Sequence, residues 1–283
     1  MNRPSPHINR PSLHIPFLRA ACLWALVASA SLAAVGMVAS ATPAPTPSTP
    51  LRIGVTHLPA KADVPAARVY TEDSFDLDLA AEIGRRLGRP VVLVDTGHEE
   101  APDTLIGGRV DALVLRLPEG TTDLPALDVL PAGYSSSLTV AMRTDTSVRR
   151  WEDLAGRTVC VAQANQQAQL LARSLGATVV VQPVPALSLM RVRTGECDAA
   201  LHDETTLTAL FADPEWKKFS ATLPPRDATE LAVVLPRTGG PEAEALRAAI
   251  PTGDHPFWEA RVAQWARDVA LEVYLDQDAP DCH

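Results

Sequence analysis

From residue 51 onward, short apolar runs alternate with segments whose apolar residues return every three or four positions. LRIGV (51–55) reads as a compact strand, and SFDLDLAAEIGRRLG (74–88) as a helix with Phe75, Leu79, Ile83 and Leu87 on one face. Ser74 suits the start of that helix and Gly88 its end, while Asp76 and Asp78 complement the first turn and Arg85 and Arg86 the last. PVVLVD (90–95) predicts a second strand, and a short segment around DTLIGG leads to a third, RVDALVL (109–115).

The same alternation returns further on. TVCVAQ (158–163), TVVVQ (178–182) and CDAALHD (197–203) read as strands, separated by helices over 165–176 and 186–195. Continuous apolar strands joined through helices predict parallel βαβ units covered on both faces. An internal echo links the two blocks: Gly108-Arg-Val-Asp-Ala112 against Gly195-Glu-Cys-Asp-Ala199. In each, a helix ends at glycine and an Asp-Ala pair opens a strand. Two similar α/β lobes follow from that echo.

SSSLTVAMRTD (135–145) and ELAVVLPRTG (230–239) read as extended crossings between the lobes. The C-terminal part is helical by pattern, with Trp258, Val262, Trp265 and Val269 on one face, and is expected to close the first lobe. The predicted organisation is a first lobe over 51–138 and 233–283 and a second over 139–232.

Composition adds a destination. Arg3, Arg10 and Arg19 precede a stretch of small apolar residues that ends in Ala39-Ser40-Ala41, the pattern of a signal peptide over 1–41 with cleavage near Ala41. The same stretch is nearly long enough to span a bilayer if it is retained as an anchor. TPAPTPSTP (42–50) is a Pro/Thr linker. Cleavage removes three Arg and takes the formal charge from −9 to −12, which disfavours nucleic acid as a partner. Export predicts a periplasmic location and an oxidising environment, in which two of Cys160, Cys197 and Cys282 pair. Cys160 and Cys197 fall in the first and third strands of the second lobe, which can be sheet neighbours, so a disulfide is expected there. No Cys-x-x-Cys spacing suggests a metal, and Asp281-Cys282-His283 reads as a frayed end.

The ordered set LRIGV, SFDLDLAAEIGRRLG, GRVDALVL, PAGYSSSLTVAMR, WEDLAGRTVCVAQANQQ, GECDAALHDE and ELAVVLP resembles extracytoplasmic solute-binding proteins of the amino-acid transporter type, family 3, over about residues 51–250. The most specific pieces are Phe75 to Ala80 and Trp151 to Gly156. The resemblance implies a type 2 periplasmic binding protein fold: two doubly wound α/β lobes on a two-stranded hinge, closing on a small ligand. The ends of parallel strands independently point to the same cleft.

The expected lining is Thr56 and His57 after the first strand, Arg116, Thr121 and Thr122 after the third, Asn165, Gln166 and Gln167 at a helix start, and Asp203. Asp203 matches the acid that receives a ligand ammonium group in the family, and Asn165 to Gln167 stand where the family has a Gly-Thr-Thr-like turn. The loop RLPEGTTDLPALDVLPAGYSSS (116–137) departs from the family pattern, with Asp123 where the family places an Arg for the ligand carboxylate. Arg116 is the nearby cation in sequence. The segment after the first strand also lacks an aromatic cluster, with Tyr70 as its one aromatic residue.

His202 is next to Asp203, but successive strand residues point to opposite faces, so it reads as a core histidine. No acid–base pair or nucleophile elbow emerges, and neither an enzyme nor a cofactor is predicted. The leading expectation is a monomeric periplasmic protein that captures a small polar ligand for the membrane permease of an ABC importer. The alternative is an accessory protein of a periplasmic quinoprotein dehydrogenase system, working through a dehydrogenase or cytochrome. Pro118-Glu119-Gly120 echoes such companions.

Overall fold

In the computed structural model, residues 49–59, 70–72, 74–97, 99–237, 240–253 and 255–276 are described. The expected signal peptide, most of the expected linker, Cys282 and His283 lie outside the described residues. Among the described residues no helix is long and apolar enough to cross a membrane.

The first block builds β1 (Leu51–Val55), α1 (Phe75–Leu87), β2 (Val91–Asp95), α2 (Ala101–Ile106) and β3 (Ala112–Pro118). β1 pairs in parallel with β2 on one side and β3 on the other. α1 forms where its periodicity predicts, and buries Phe75, Leu79 and Ile83. Gly88 ends it in the left-handed conformation, with a φ of 63° that a side chain would resist.

A two-residue strand, β4 (Asp123–Leu124), folds back on β5 (Leu127–Ala141), which leads into β6 (Thr158–Ala162), α3 (Gln166–Ser174), β7 (Thr178–Gln182), α4 (Pro185–Thr194) and β8 (Ala199–Asp203). α5 (Glu204–Leu210) follows β8 directly, and β9 (Arg226–Pro236), α6 (Pro241–Ala249) and α7 (His255–Leu275) complete the chain. The strand order is β2-β1-β3-β9-β5-β8-β6-β7. Read outward from its middle, the sheet has two arms of the same internal order, β2-β1-β3 and β7-β6-β8, joined through the antiparallel pair β5 and β9.

The internal echo has a mechanical meaning. In the first arm, Asp111 accepts from the backbone N–H of Arg52 at 2.8 Å and from its guanidinium at 2.6 Å. In the second, Asp198 accepts from the backbone N–H of Thr158 at 2.9 Å and from the Arg157 guanidinium at 3.2 Å. Each aspartate thereby ties the entry of the third strand of its arm to the entry of the first.

The stretch 116–137 is largely strand, where sequence reading expects a loop that turns into a hinge. β9 supplies backbone partners to β3 as far as Pro118 and to β5 from Leu127, so the chain between is reduced to a short hairpin. The register of β5 shifts between Pro131 and Ser135. That bulge absorbs the missing N–H of Pro131 and carries Gly133 at φ 85°.

The C-terminal helices also differ from expectation. α6 lies on α1, but α7 spans both arms. Its Trp258 meets Phe75 and Tyr134, and further along it packs on α4 and α5. Continuous apolar surface on α7, with Trp258, Trp265 and Val269 all buried, lets it serve both arms.

Cys160 of β6 and Cys197 form a disulfide. Cys197 lies in the turn between α4 and β8, two residues before the strand that the sequence pattern would start there. The bridge ties the turn between α4 and β8 to β6 across a sequence separation of 37 residues. A loop of that size is worth about 2–4 kcal/mol. The double variant Cys160→Ala/Cys197→Ala is therefore expected to lose about that much unfolding free energy in urea titrations, and reductant should lower the stability of the parent chain but not of the variant.

Candidate functional site: a cavity between the two arms

A cavity of about 250 Å³ opens between the arms. One wall comes from the end of β1 (Thr56, His57), the approach to α1 (Glu72, Ser74, Asp76) and β3 (Val114, Arg116). The other comes from the start of α3 (Asn165, Gln166, Gln167), and the crossing strand β9 contributes Thr229 and Leu231. Parallel strands present their carboxyl ends, and α3 its N-terminus, to the same space, because the arms face each other across the crossing pair.

Behind this cavity runs the interaction that joins its walls. Arg116 of β3 reaches Asp203 at the end of β8, with Nη1 to Oδ2 at 2.9 Å. Asp203 is 2% exposed and Arg116 22%. Tyr134 of β5 donates its hydroxyl to the same carboxylate oxygen at 3.0 Å, and Asn165 directs Nδ2 to the other at 3.4 Å. The guanidinium also lies 5.5 Å from the centre of the Tyr134 ring, within cation–π range. Tyr134 in turn stacks on Phe75, with ring centres 4.7 Å apart, and contacts Trp258.

The two mirrored arms, crossed twice by an antiparallel pair and facing each other over a cavity, decide the architecture. The fold is that of a type 2 periplasmic binding protein. No family model matches the chain, and no curated protein matches it. Among solved structures, the chain is similar to holo ArgBP from T. maritima at 20% identity, over 80% of this chain and 96% of that one, with a TM-score of 0.46. It is similar to the GluR0 ligand-binding core from Nostoc punctiforme in complex with (L)-glutamate at 17% identity, over 80% and 99%, with a TM-score of 0.49. An ancestral cationic amino acid solute binding protein aligns at 18% identity, over 76% and 93%, also with a TM-score of 0.49.

Within this binding-protein fold, six of the residues singled out from sequence line the cavity: Thr56, His57, Arg116, Asn165, Gln166 and Gln167. Thr121 and Thr122 are not brought to it, because Thr121 closes a turn onto the Pro118 carbonyl through both its N–H and its hydroxyl. Asp203 stands behind the wall instead of on it, covered by Arg116 and Asn165. Asn165 does two jobs at once: its Oδ1 caps α3 by accepting from the Ala168 N–H at 3.0 Å, and its Nδ2 serves Asp203. Gln167 is held to the crossing strand, donating to the Asp227 carbonyl at 2.9 Å.

Two acids absent from the sequence-based expectation, Glu72 and Asp76, line the cavity, and among the described residues neither is salt-bridged. Asp76 accepts from the Leu77 N–H at 3.0 Å. Burial raises its carboxyl above the ordinary range, against the pull of that N–H and of the Arg116 guanidinium. Glu72 is also raised, first by burial, with nearby His57 opposing and Glu272 adding to the shift. In the sequence Asp76 reads fully as a first-turn helix residue, which hides its second role. Among the described residues no group of three His, Cys, Asp or Glu side chains is arranged to hold a metal ion.

His202 points away from all of this. It is wholly buried, with Nε2 2.6 Å from the Ser188 hydroxyl and its ring edge-on to Trp265. Burial holds its pKa down at about 4 against an ordinary 6.5, with the Asp203 charge opposing.

Two outcomes are expected from this arrangement. Arg116→Met strands a carboxylate that is 2% exposed and should cost about 3–5 kcal/mol in denaturant titration. Asp203→Asn, which leaves the half-buried guanidinium, should cost less, and the double variant should recover part of the loss. His202 resists protonation in the folded chain but not in the unfolded one, so its contribution is whole above pH 6.5 and is lost as pH falls toward 4. Relative to His202→Leu, the parent chain should lose about 3 kcal/mol over that window, and equal acid profiles for the two would contradict the assignment.

Proposed function

We propose that this chain is a periplasmic solute-binding protein that captures a small polar ligand between two lobes and delivers it to the permease of an ABC importer. The observation that carries the reading is the cavity itself. It is walled by both arms and floored by the crossing strand β9, so a ligand there contacts the parts that a hinge motion would move. The lobes of the proposal are 51–138 with 233–283 and 139–232, and α7 acts as a strap across both. Thr56, His57, Arg116 and Asn165 to Gln167 are assigned to ligand contact, while Asp203 acts through Arg116 and Asn165. The proposed role is binding without chemistry.

The test is a thermal-shift screen of small polar metabolites against the secreted form. A true ligand at a hundred times its Kd stabilises by about 2.7 kcal/mol, which should appear as a saturable rise in melting temperature together with a smaller radius of gyration in scattering. A screen without any shift, combined with recovery of a dehydrogenase or cytochrome from native periplasm, would replace the transport reading with an accessory role.

A further inference from the structure

Building on the binding reading above, we propose that the cavity takes a small aliphatic amine or diamine without a carboxylate, with Glu72 and Asp76 receiving its ammonium groups. The charges around the cavity fall into two sets. Arg116 and Asp203 neutralise each other across the arms at 2.9 Å, and Tyr134 and Asn165 donate to the same carboxylate. Among the described residues, the acids of the lining without a salt bridge are Glu72 and Asp76, both on the wall formed by α1 and its approach.

An ordinary amino acid would need both members of the first set. Its carboxylate would have to draw Arg116 away from Asp203, leaving a carboxylate that is 2% exposed without a counter-ion. Its ammonium group would have to reach the same covered Asp203. Both steps break the interaction that joins the arms. An amine breaks neither, since its ammonium groups turn to Glu72 and Asp76 and leave Arg116 with Asp203. Its charge relieves the burial that raises both carboxyls. Leu77, Val114 and Leu231 supply apolar wall for a hydrocarbon stem between ammonium groups. The volume, about 250 Å³, lies below the range of drug-sized pockets and restricts the ligand to a small one.

The probe is 1,5-diaminopentane, titrated calorimetrically against the secreted form beside lysine, which adds a carboxylate to the same diamine, and pentanoate. The diamine should bind saturably, lysine at least tenfold more weakly, and pentanoate not at all. Asp76→Asn and Glu72→Gln should each weaken the diamine at least tenfold. Both should keep or raise the unliganded melting temperature, since each removes a partly buried carboxylate that has no salt-bridge partner among the described residues. Equal or tighter binding of lysine, or a diamine affinity untouched by both variants, overturns the proposal. A diamine that fails while another compound from the broader screen binds overturns the ligand class and leaves the binding role standing. Failure of every compound overturns both.

Discussion

A carboxylate held at 2% exposure is tolerable only if its charge and its lone pairs are answered, and Asp203 is answered from three directions. Arg116 comes from the first arm, Asn165 from the start of α3, and Tyr134 from the crossing strand. Each donor belongs to a different structural unit, so the one acid sets the relative position of all of them. The aromatic cluster of Phe75, stacked on Tyr134, and Trp258, tilted against both, then holds the Tyr134 ring from behind and draws α1 and α7 into the same arrangement. Removing charge from any member leaves a desolvated partner, which costs more than the pair itself contributes.

The same pair governs what the cavity can hold. In the family that the sequence resembles, the acid after the third strand of the second lobe serves the ligand. Here that acid is engaged inside the protein by an arginine three strand-pairings away in the sheet. Charge balance therefore moves the open acidity to Glu72 and Asp76, on the opposite wall. Arg116 does not take over the carboxylate-binding role that the resemblance expects of an arginine at position 123, because it is engaged with Asp203.

Much of the scaffold was legible in the sequence. β1 and β7 run over the residues expected, and α1 and α3 fall within a residue or two of their predicted ends. Those segments carry strong periodicity and end at glycine or cap residues. α5 was not legible, since it is one short piece continuous with β8 and too brief to show a period. The strand character of 127–137 was also hidden, because Pro131 and Gly133 read as loop residues until a bulge accommodates them. The disulfide pairing followed from placing Cys160 and Cys197 on the same arm.

The site divides along a similar line. Strand ends and helix starts are local features, so Thr56, His57, Arg116 and Asn165 to Gln167 could be named from pattern alone. Whether a named residue faces the cavity or another side chain depends on distances across the sheet, between positions 87 residues apart in the case of Arg116 and Asp203. Periodicity along the chain determined the elements, the two-arm repeat and the general location of a cleft. Only the tertiary structure decided that the expected ligand acid is neutralised and that α7 straps both arms, because charge pairing and side-chain burial are properties of neighbours in space that no local pattern encodes.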